Sequence, residues 1–290
     1  MASLREFSSS TVKDYWALLK PRVMSLVFFT AFCGFFLAPG FLHPIEAIVS
    51  MMCIAAGAGG AGVLNMWYER NADAQMERTK ERPLPRGVMH SSDALAFGII
   101  LSCFSVGVLG LAANFWAALL LAFIIFFYAG VYTVWLQPRT SQNIVSGGIA
   151  GALPPVLGWI LSSQEFSWLP VLLFLIIFFW TPTHFWALAL CKQGEYAQVH
   201  IPMLPSTAGI KKTKAQMFFY AVLTVACSLL PFFMGFLGPF YLWSAFGLGS
   251  VLIFMSYNVW RQSTVHPMRL FGYSILYLFL LFLLMMVDRV

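Results

Sequence analysis

The chain has 290 residues, of which 60% are hydrophobic and only 10% charged, with a mean hydropathy of +0.80. Ordinary soluble domains carry about 25% charged residues, so a water-facing surface cannot be built from this composition. Disorder, which needs low hydrophobicity and high charge, is excluded by the same numbers. The net charge of +6 fits a topological role, with Lys and Arg holding loops on the cytoplasmic side, and does not call for nucleic acid as a partner. The cysteines Cys33, Cys53, Cys103, Cys191 and Cys227 form no CxxC pair and read as small apolar residues. The solvent that suits this chain is a lipid bilayer, and the fold class it points to is all-α and polytopic.

Residues 1–21 read as a cytoplasmic N-terminal segment; Glu6 and Asp14 interrupt it and no apolar signal-peptide core is present. Residues 22–288 read as a single transmembrane domain. A hydrocarbon core of about 30 Å needs about 20 helical residues. Charge-free runs of that length or twice that length predict nine spans, at 22–41, 44–66, 93–112, 115–135, 143–161, 167–190, 215–235, 239–260 and 269–287. Asn114 and Gly238-Pro239 mark tight turns inside the two double-length runs. Pro154-Pro155 predicts a break in the fifth span, which is tolerated only where protein or water satisfies the backbone; the expected arrangement is nine helices around a central cavity. With the N-terminus cytoplasmic and the C-terminus periplasmic, every Lys and Arg except Arg289 falls on the inner side, the asymmetry expected of an inner-membrane protein. Two inner loops are long, 67–92 and 191–214, and chemistry is expected at that face.

Residues 64–87, LNMWYERNADAQMERTKERPLPRG, are dense with charge. If the second span continues as a helix, Asn65, Glu69 and Asp73 are spaced i, i+4, i+8 and fall within about 80° of one another. Two carboxylates and an amide oxygen form a hard, oxygen-only ligand set suited to Mg²⁺. Arg78, Lys80 and Arg82 follow, and guanidinium and ammonium groups suit phosphate. The bland alternative is a solvated helix end laced with ion pairs; polar groups close to membrane depth weigh against it. His184, next to Trp180 in an apolar span, fits a hydrogen-bonded helix contact or a haem contact.

NxxxExxxD followed by MERTKERPLPRG resembles the first acidic motif of the UbiA superfamily of intramembrane prenyltransferases. LLKPRVMSLVFFTAFCGFFLAPG, YTVWLQPRTSQNIVSGGIAGALPPVLGW, and WTPTHFWALAL with EYAQVHIPMLP are similar to its haem-farnesylating branch, so the resemblance covers roughly residues 15–285. It implies a UbiA-like fold and magnesium-dependent transfer of a farnesyl group from farnesyl diphosphate to a vinyl group of haem B, giving haem O. It also implies haem A synthase or oxidase-assembly proteins as partners. By resemblance, Asn65, Glu69 and Asp73 hold Mg²⁺, and Glu195 in CKQGEY contributes the second acidic motif. Arg78, Lys80, Arg82, Arg139 and Lys192 meet diphosphate, and His184 and Trp180 meet haem. Lys20, Arg22 and Tyr196 lie where they could reach the substrate headgroup. A UbiA-type enzyme acting on an aromatic or quinone precursor is disfavoured by HFWALA and IPMLP. A transporter is disfavoured because the acids gather at one membrane face, whereas transporters place ionisable groups near the midplane.

Overall fold

A computed structural model describes residues 10–163, 165–192, 194, 199, 201–261 and 266–289. Among these the chain is helical, and the only extended pairing is an isolated bridge between Leu237 and Arg289. Among the described residues, eight helices are long and apolar enough to cross a membrane. A ninth span arises if the pair Val12–Leu18 and Pro21–Leu37, bent by 55°, counts as one. Glu195 and Tyr196 lie outside the described residues.

The chain divides into two compact units. The first comprises the residues up to Phe28 and His43–Trp135. It opens with α1 (Val12–Leu18), whose start is fixed by Thr11; the Thr11 amide and hydroxyl both donate to the Asp14 carboxylate, at 2.9 and 2.6 Å. Those two bonds hold the exposed Asp14 carboxyl below its usual range. Lys20 then adopts a left-handed conformation, φ +53°, and Pro21 starts α2 (Pro21–Leu37). A non-glycine residue in this region costs energy and marks a bend that its surroundings hold in place.

Helix α3 (Pro44–Asp73) has 30 residues. At 1.5 Å per residue it is about 45 Å long, well over the thickness of a hydrocarbon core, so its last two turns continue beyond the expected span at 44–66. Its small residues let α4 (Ser91–Ala112) come close. A Cβ on Gly60 would meet the Ser102 hydroxyl at 2.6 Å, and one on Gly98 would meet the Leu64 side chain at 2.9 Å. Such close backbone approach is a main source of helix association where lipid removes the hydrophobic drive. At the expected turn, the Asn114 side chain accepts from the Ala117 amide at 2.9 Å and starts α5 (Phe115–Phe126). The chain runs on from α5 in π-helical geometry over Phe127–Leu136, which the sequence pattern does not announce.

The 67–92 stretch is less of a loop than expected. It stays helical to Asp73 and then folds into tight turns with Met76, Thr79, Leu84 and Met89 buried. Leu84 and Met89 join Leu18, Val63, Met66 and Ala94 in one apolar cluster. That cluster holds the charged turns against the end of α3.

The second unit comprises Phe29–Leu42 and the chain from Leu136 onward. Here α6 (Asn143–Ala152) and α7 (Pro154–Ser162) are separated at Leu153, where the Pro pair was expected to break the span. The later part of α2 lies directly on α7. A Cβ on Gly34 would run into the Pro155 carbonyl, and one on Gly158 into the Ala31 carbonyl, so both positions are held to glycine by backbone contact. Next come α8 (Trp168–Cys191), the short α9 (Leu204–Thr207), α10 (Ile210–Phe233), α11 (Pro239–Arg261) and α12 (Pro267–Val287). Helix α10 begins at Ile210, so Lys211, Lys212 and Lys214 sit on its first turns and not in a loop running to 214. Near the far end of the unit, Arg289 donates to the Phe36 and Ala38 carbonyls at 2.7 and 3.2 Å, and Asp288 accepts from the Tyr241 amide at 2.7 Å. Large apolar side chains such as Phe104, Phe126, Trp243 and Phe254 are exposed, as expected for a protein whose solvent is lipid.

Candidate active site

The C-terminal end of α3 gathers charged residues of the first unit. Asn65, Glu69 and Asp73 rise along it one turn apart, as the i, i+4, i+8 spacing requires. Asn65 and Asp73 are buried, at 2% and 3% exposure, and Glu69 is half-buried. The turns after α3 reverse the chain, so that Arg82 returns to Asp73 and donates to its Oδ2 at 2.6 Å. Thr79 fixes the same turn by donating to the Asp73 carbonyl at 2.9 Å. A buried carboxylate paired with a half-buried guanidinium is a strong contact, and removing one partner of such a pair typically costs about 3–5 kcal/mol.

Asn65 is held from two sides. Its Oδ1 accepts a short hydrogen bond from the Lys20 ammonium, and its Nδ2 donates to Thr133 Oγ1 at 3.0 Å. Lys20 sits within the electrostatic reach of Glu69, Asp73, Arg78 and Arg82. The Tyr128 hydroxyl, on the π-helical segment, lies in the same field of Glu69, Asp73 and Arg82. This unit therefore brings together Lys20, Asn65, Glu69, Asp73, Arg78 and Arg82. It adds Tyr128 and Thr133, which the sequence reading did not single out. Three hydroxyl-bearing residues stand in FYAGVYTVWL, and the sequence alone does not mark which of them faces α3.

Other expected residues are placed differently. Lys80 pairs with Glu77 at 2.7 Å on the surface, and that partner raises the Lys80 ammonium above its usual range. Arg22 is exposed. Arg139, exposed in the turn after Leu136, and Lys192, capping the end of α8, belong to the second unit.

His184 and Trp180 also lie in the second unit, one turn apart on α8, and their rings stack with centroids 4.3 Å apart. Phe271 stacks on the other side of the imidazole at 4.4 Å. His184 Nδ1 lies 2.8 Å from Ser274 Oγ, and Trp180 Nε1 donates to the Ser274 carbonyl at 2.8 Å. The Ser274 hydroxyl donates to the Phe271 carbonyl at 2.7 Å, so its one proton is used. Nδ1 of His184 is then the donor to Ser274, and Nε2 keeps the lone pair. His43 caps α3 by accepting from the Ile45 amide at 3.4 Å.

Among the described residues, no three His, Cys, Asp or Glu side chains converge so as to hold a metal ion. The α3 set nonetheless suits a hard cation, since it offers amide and carboxylate oxygens and no sulfur or imidazole. A divalent ion there needs further oxygens from phosphate and water, which is the coordination Mg²⁺ prefers.

The chain matches the UbiA prenyltransferase family profile over residues 27–284. It is 52% identical over 289 residues to the protoheme IX farnesyltransferase of Rhizobium johnstonii, covering 98% of this chain and 92% of that protein. It is 48% identical over 293 residues to the protoheme IX farnesyltransferase of Parvibaculum lavamentivorans, covering 99% and 92%. Its fold is similar to a solved structure of digeranylgeranylglyceryl phosphate synthase, with a TM-score of 0.79 at 18% identity, covering 96% of this chain and 98% of that one. It is also similar to a UbiA homologue from Archaeoglobus fulgidus bound to DMAPP and Mg²⁺, with a TM-score of 0.65 at 16% identity, covering 94% and 99%. A nearly full-length match in sequence, together with the shared helical fold, places the protein: the chain belongs to the UbiA prenyltransferase family.

Proposed function

We propose that the protein transfers the farnesyl group of farnesyl diphosphate to a vinyl group of haem B, forming haem O. The observation that carries this reading is the 52% identity, over 98% of the chain, to a protoheme IX farnesyltransferase. The α3 cluster supports it, because acids and bases there are paired at the inner end of an apolar helix. The two units act as one multi-pass enzyme in the bacterial inner membrane, with the N-terminus cytoplasmic and the C-terminus periplasmic. The confinement of every Lys and Arg except Arg289 to one side of the predicted spans supports that orientation.

Diphosphate leaves only when its negative charge is balanced. Mg²⁺, held by Asn65, Glu69 and Asp73, would supply part of that balance in the manner of a Lewis acid. Arg82, Arg78 and Lys20 contribute fixed positive charge at the same place, and charge aimed where it develops is what lowers a barrier. Lys80 can join only by releasing Glu77. Arg139, Lys192, Glu195 and Tyr196 are assigned to the diphosphate through the motifs that carry the family resemblance, with Glu195 as the second acid. Arg22 anchors the start of α2 near the headgroups.

As the farnesyl C–O bond breaks, the electron pair leaves with diphosphate. The vinyl π electrons form the new C–C bond to the farnesyl carbon. Water adds to the resulting porphyrin-side cation and loses a proton, which leaves a hydroxyethylfarnesyl group. Aromatic side chains exclude water from the farnesyl cation and steady it through their ring faces. The stacked Tyr128 and Tyr132 rings, 5.7 Å apart at the edge of the cluster, suit that task. His184 and Trp180 are assigned to haem. Incubating purified protein with haem B, farnesyl diphosphate and Mg²⁺, and identifying the pigment by mass, tests the reading. A product heavier by a farnesyl group and a hydroxyl is expected, and unchanged haem B would refute it.

A further inference from the structure

The hydrogen bonds around Asn65 form a directed chain. Thr133 is 1% exposed and sits on the π-helical segment. Its hydroxyl donates to the Tyr128 carbonyl, five residues back, at 2.8 Å. A hydroxyl has one proton, so toward Asn65 the Thr133 oxygen can only accept. The Asn65 amide must therefore turn its Nδ2 to Thr133, at 3.0 Å. That leaves Oδ1 pointing to the opposite side, where it meets the Lys20 ammonium. A flipped amide would face a lone pair with a carbonyl on one side and an ammonium with an N–H on the other. Both contacts would be repulsive, one of them buried and the other part-buried.

The helical register is part of the device. π-helical stretches are uncommon and are frequent at functional sites. Here the wider turn brings a Thr hydroxyl and its own carbonyl acceptor together opposite Asn65. Nothing else in the first unit donates to or accepts from Thr133 Oγ1 among the bonds described.

We propose that Thr133 is a positioning residue for the cation site, which orients the Asn65 amide so that its oxygen faces the charged side. The inference rests on the reading that Asn65 is a metal ligand. Without the Thr133 hydroxyl the amide loses its orientation and presents N–H to the cation for part of the time. Groups that orient a ligand from behind are typically worth about 10–100-fold in metal affinity.

The test uses the purified full chain, with Mn²⁺ binding followed by electron paramagnetic resonance in the presence of inorganic pyrophosphate. Thr133→Val removes the hydroxyl at nearly constant volume and should weaken Mn²⁺ binding by about 10–100-fold. Thr133→Ser, which keeps the hydroxyl, should restore affinity to near that of the unaltered protein. The decisive arm places Thr133→Val in an Asn65→Asp background. A carboxylate has no amide to flip, so the loss should vanish there. An equal loss in both backgrounds would show a merely structural role and overturn the inference, as would no loss in either. Thr133→Ala carries the same predictions if the valine variant is not recovered folded. Asn65→Ala separates the two readings. If it weakens Mn²⁺ binding while Thr133→Val does not, only this inference fails. If it leaves Mn²⁺ binding intact, the metal-site reading fails and this inference with it.

Discussion

The C-terminal end of α3 and the His184 region of α8 both bury polar side chains in an apolar helix, but they do so in opposite ways. At α3 the buried groups are charged or paired with charge: Asp73 with Arg82, Asn65 with Lys20. Each oxygen is held by a cation that another cation, or an anion drawing the base away, can replace. At His184 the groups are neutral and their partners are fixed: Ser274 on one ring nitrogen, Trp180 and Phe271 on the two faces. The first arrangement suits ions that come and go. The second suits holding a ring in one pose. Buried ion pairs are weak devices for stability, and their presence at α3 fits a site that exchanges partners.

The largest effect should come from the charged region. Asp73→Ala should lower turnover by about 10²–10³-fold, the usual cost of losing charge stabilisation in the transition state. The variant should still elute as a folded protein. Near-normal turnover would show that the α3 acids are only ion-pair partners. Arg82→Gln comes next and leaves Asp73 without its partner. We expect a raised KM for farnesyl diphosphate and a melting temperature lowered to match a loss of about 3–5 kcal/mol. A change in stability alone would make the pair structural and blur the contrast.

His184→Ala sharpens the other side of the comparison. Removing a buried, doubly stacked ring should destabilise the protein by about 2–5 kcal/mol and weaken haem binding, read from the Soret band. An unchanged haem spectrum and affinity would reduce His184 to packing. Lys80→Ala should be the mildest. Exposed ion pairs are worth about 0–1 kcal/mol, so turnover should fall less than about threefold. A drop as large as that of Asp73→Ala would mean that Lys80 leaves Glu77 to work with substrate.

Much of the fold was legible because charge and breakers punctuate an otherwise apolar chain. Asn114 caps α5, and Pro154-Pro155 separates α6 from α7, both as their chemistry requires. The face shared by Asn65, Glu69 and Asp73 followed from helical spacing alone. The return of Arg82 onto Asp73 did not, because it depends on buried Met76, Thr79 and Leu84 folding the turns back. The π-helical stretch was also hidden. Phe127–Leu136 is mostly apolar, so no periodicity tells α from π geometry, and the role of Thr133 appears only in contact. Helix α10 begins earlier than the charge pattern predicts because Lys211, Lys212 and Lys214 are good helix formers. Glu195 and Tyr196 fall outside the described residues.

The central claim is that the α3 oxygens and their neighbouring bases grip the diphosphate end of the isoprenoid. A density map of the full chain with Mg²⁺ and a non-reactive thio analogue of farnesyl diphosphate tests it directly. The account predicts the diphosphate beside Arg82, with metal density within coordination distance of Asn65, Glu69 and Asp73. Diphosphate density at another place, with the Asp73–Arg82 and Lys20–Asn65 contacts undisturbed, would contradict it.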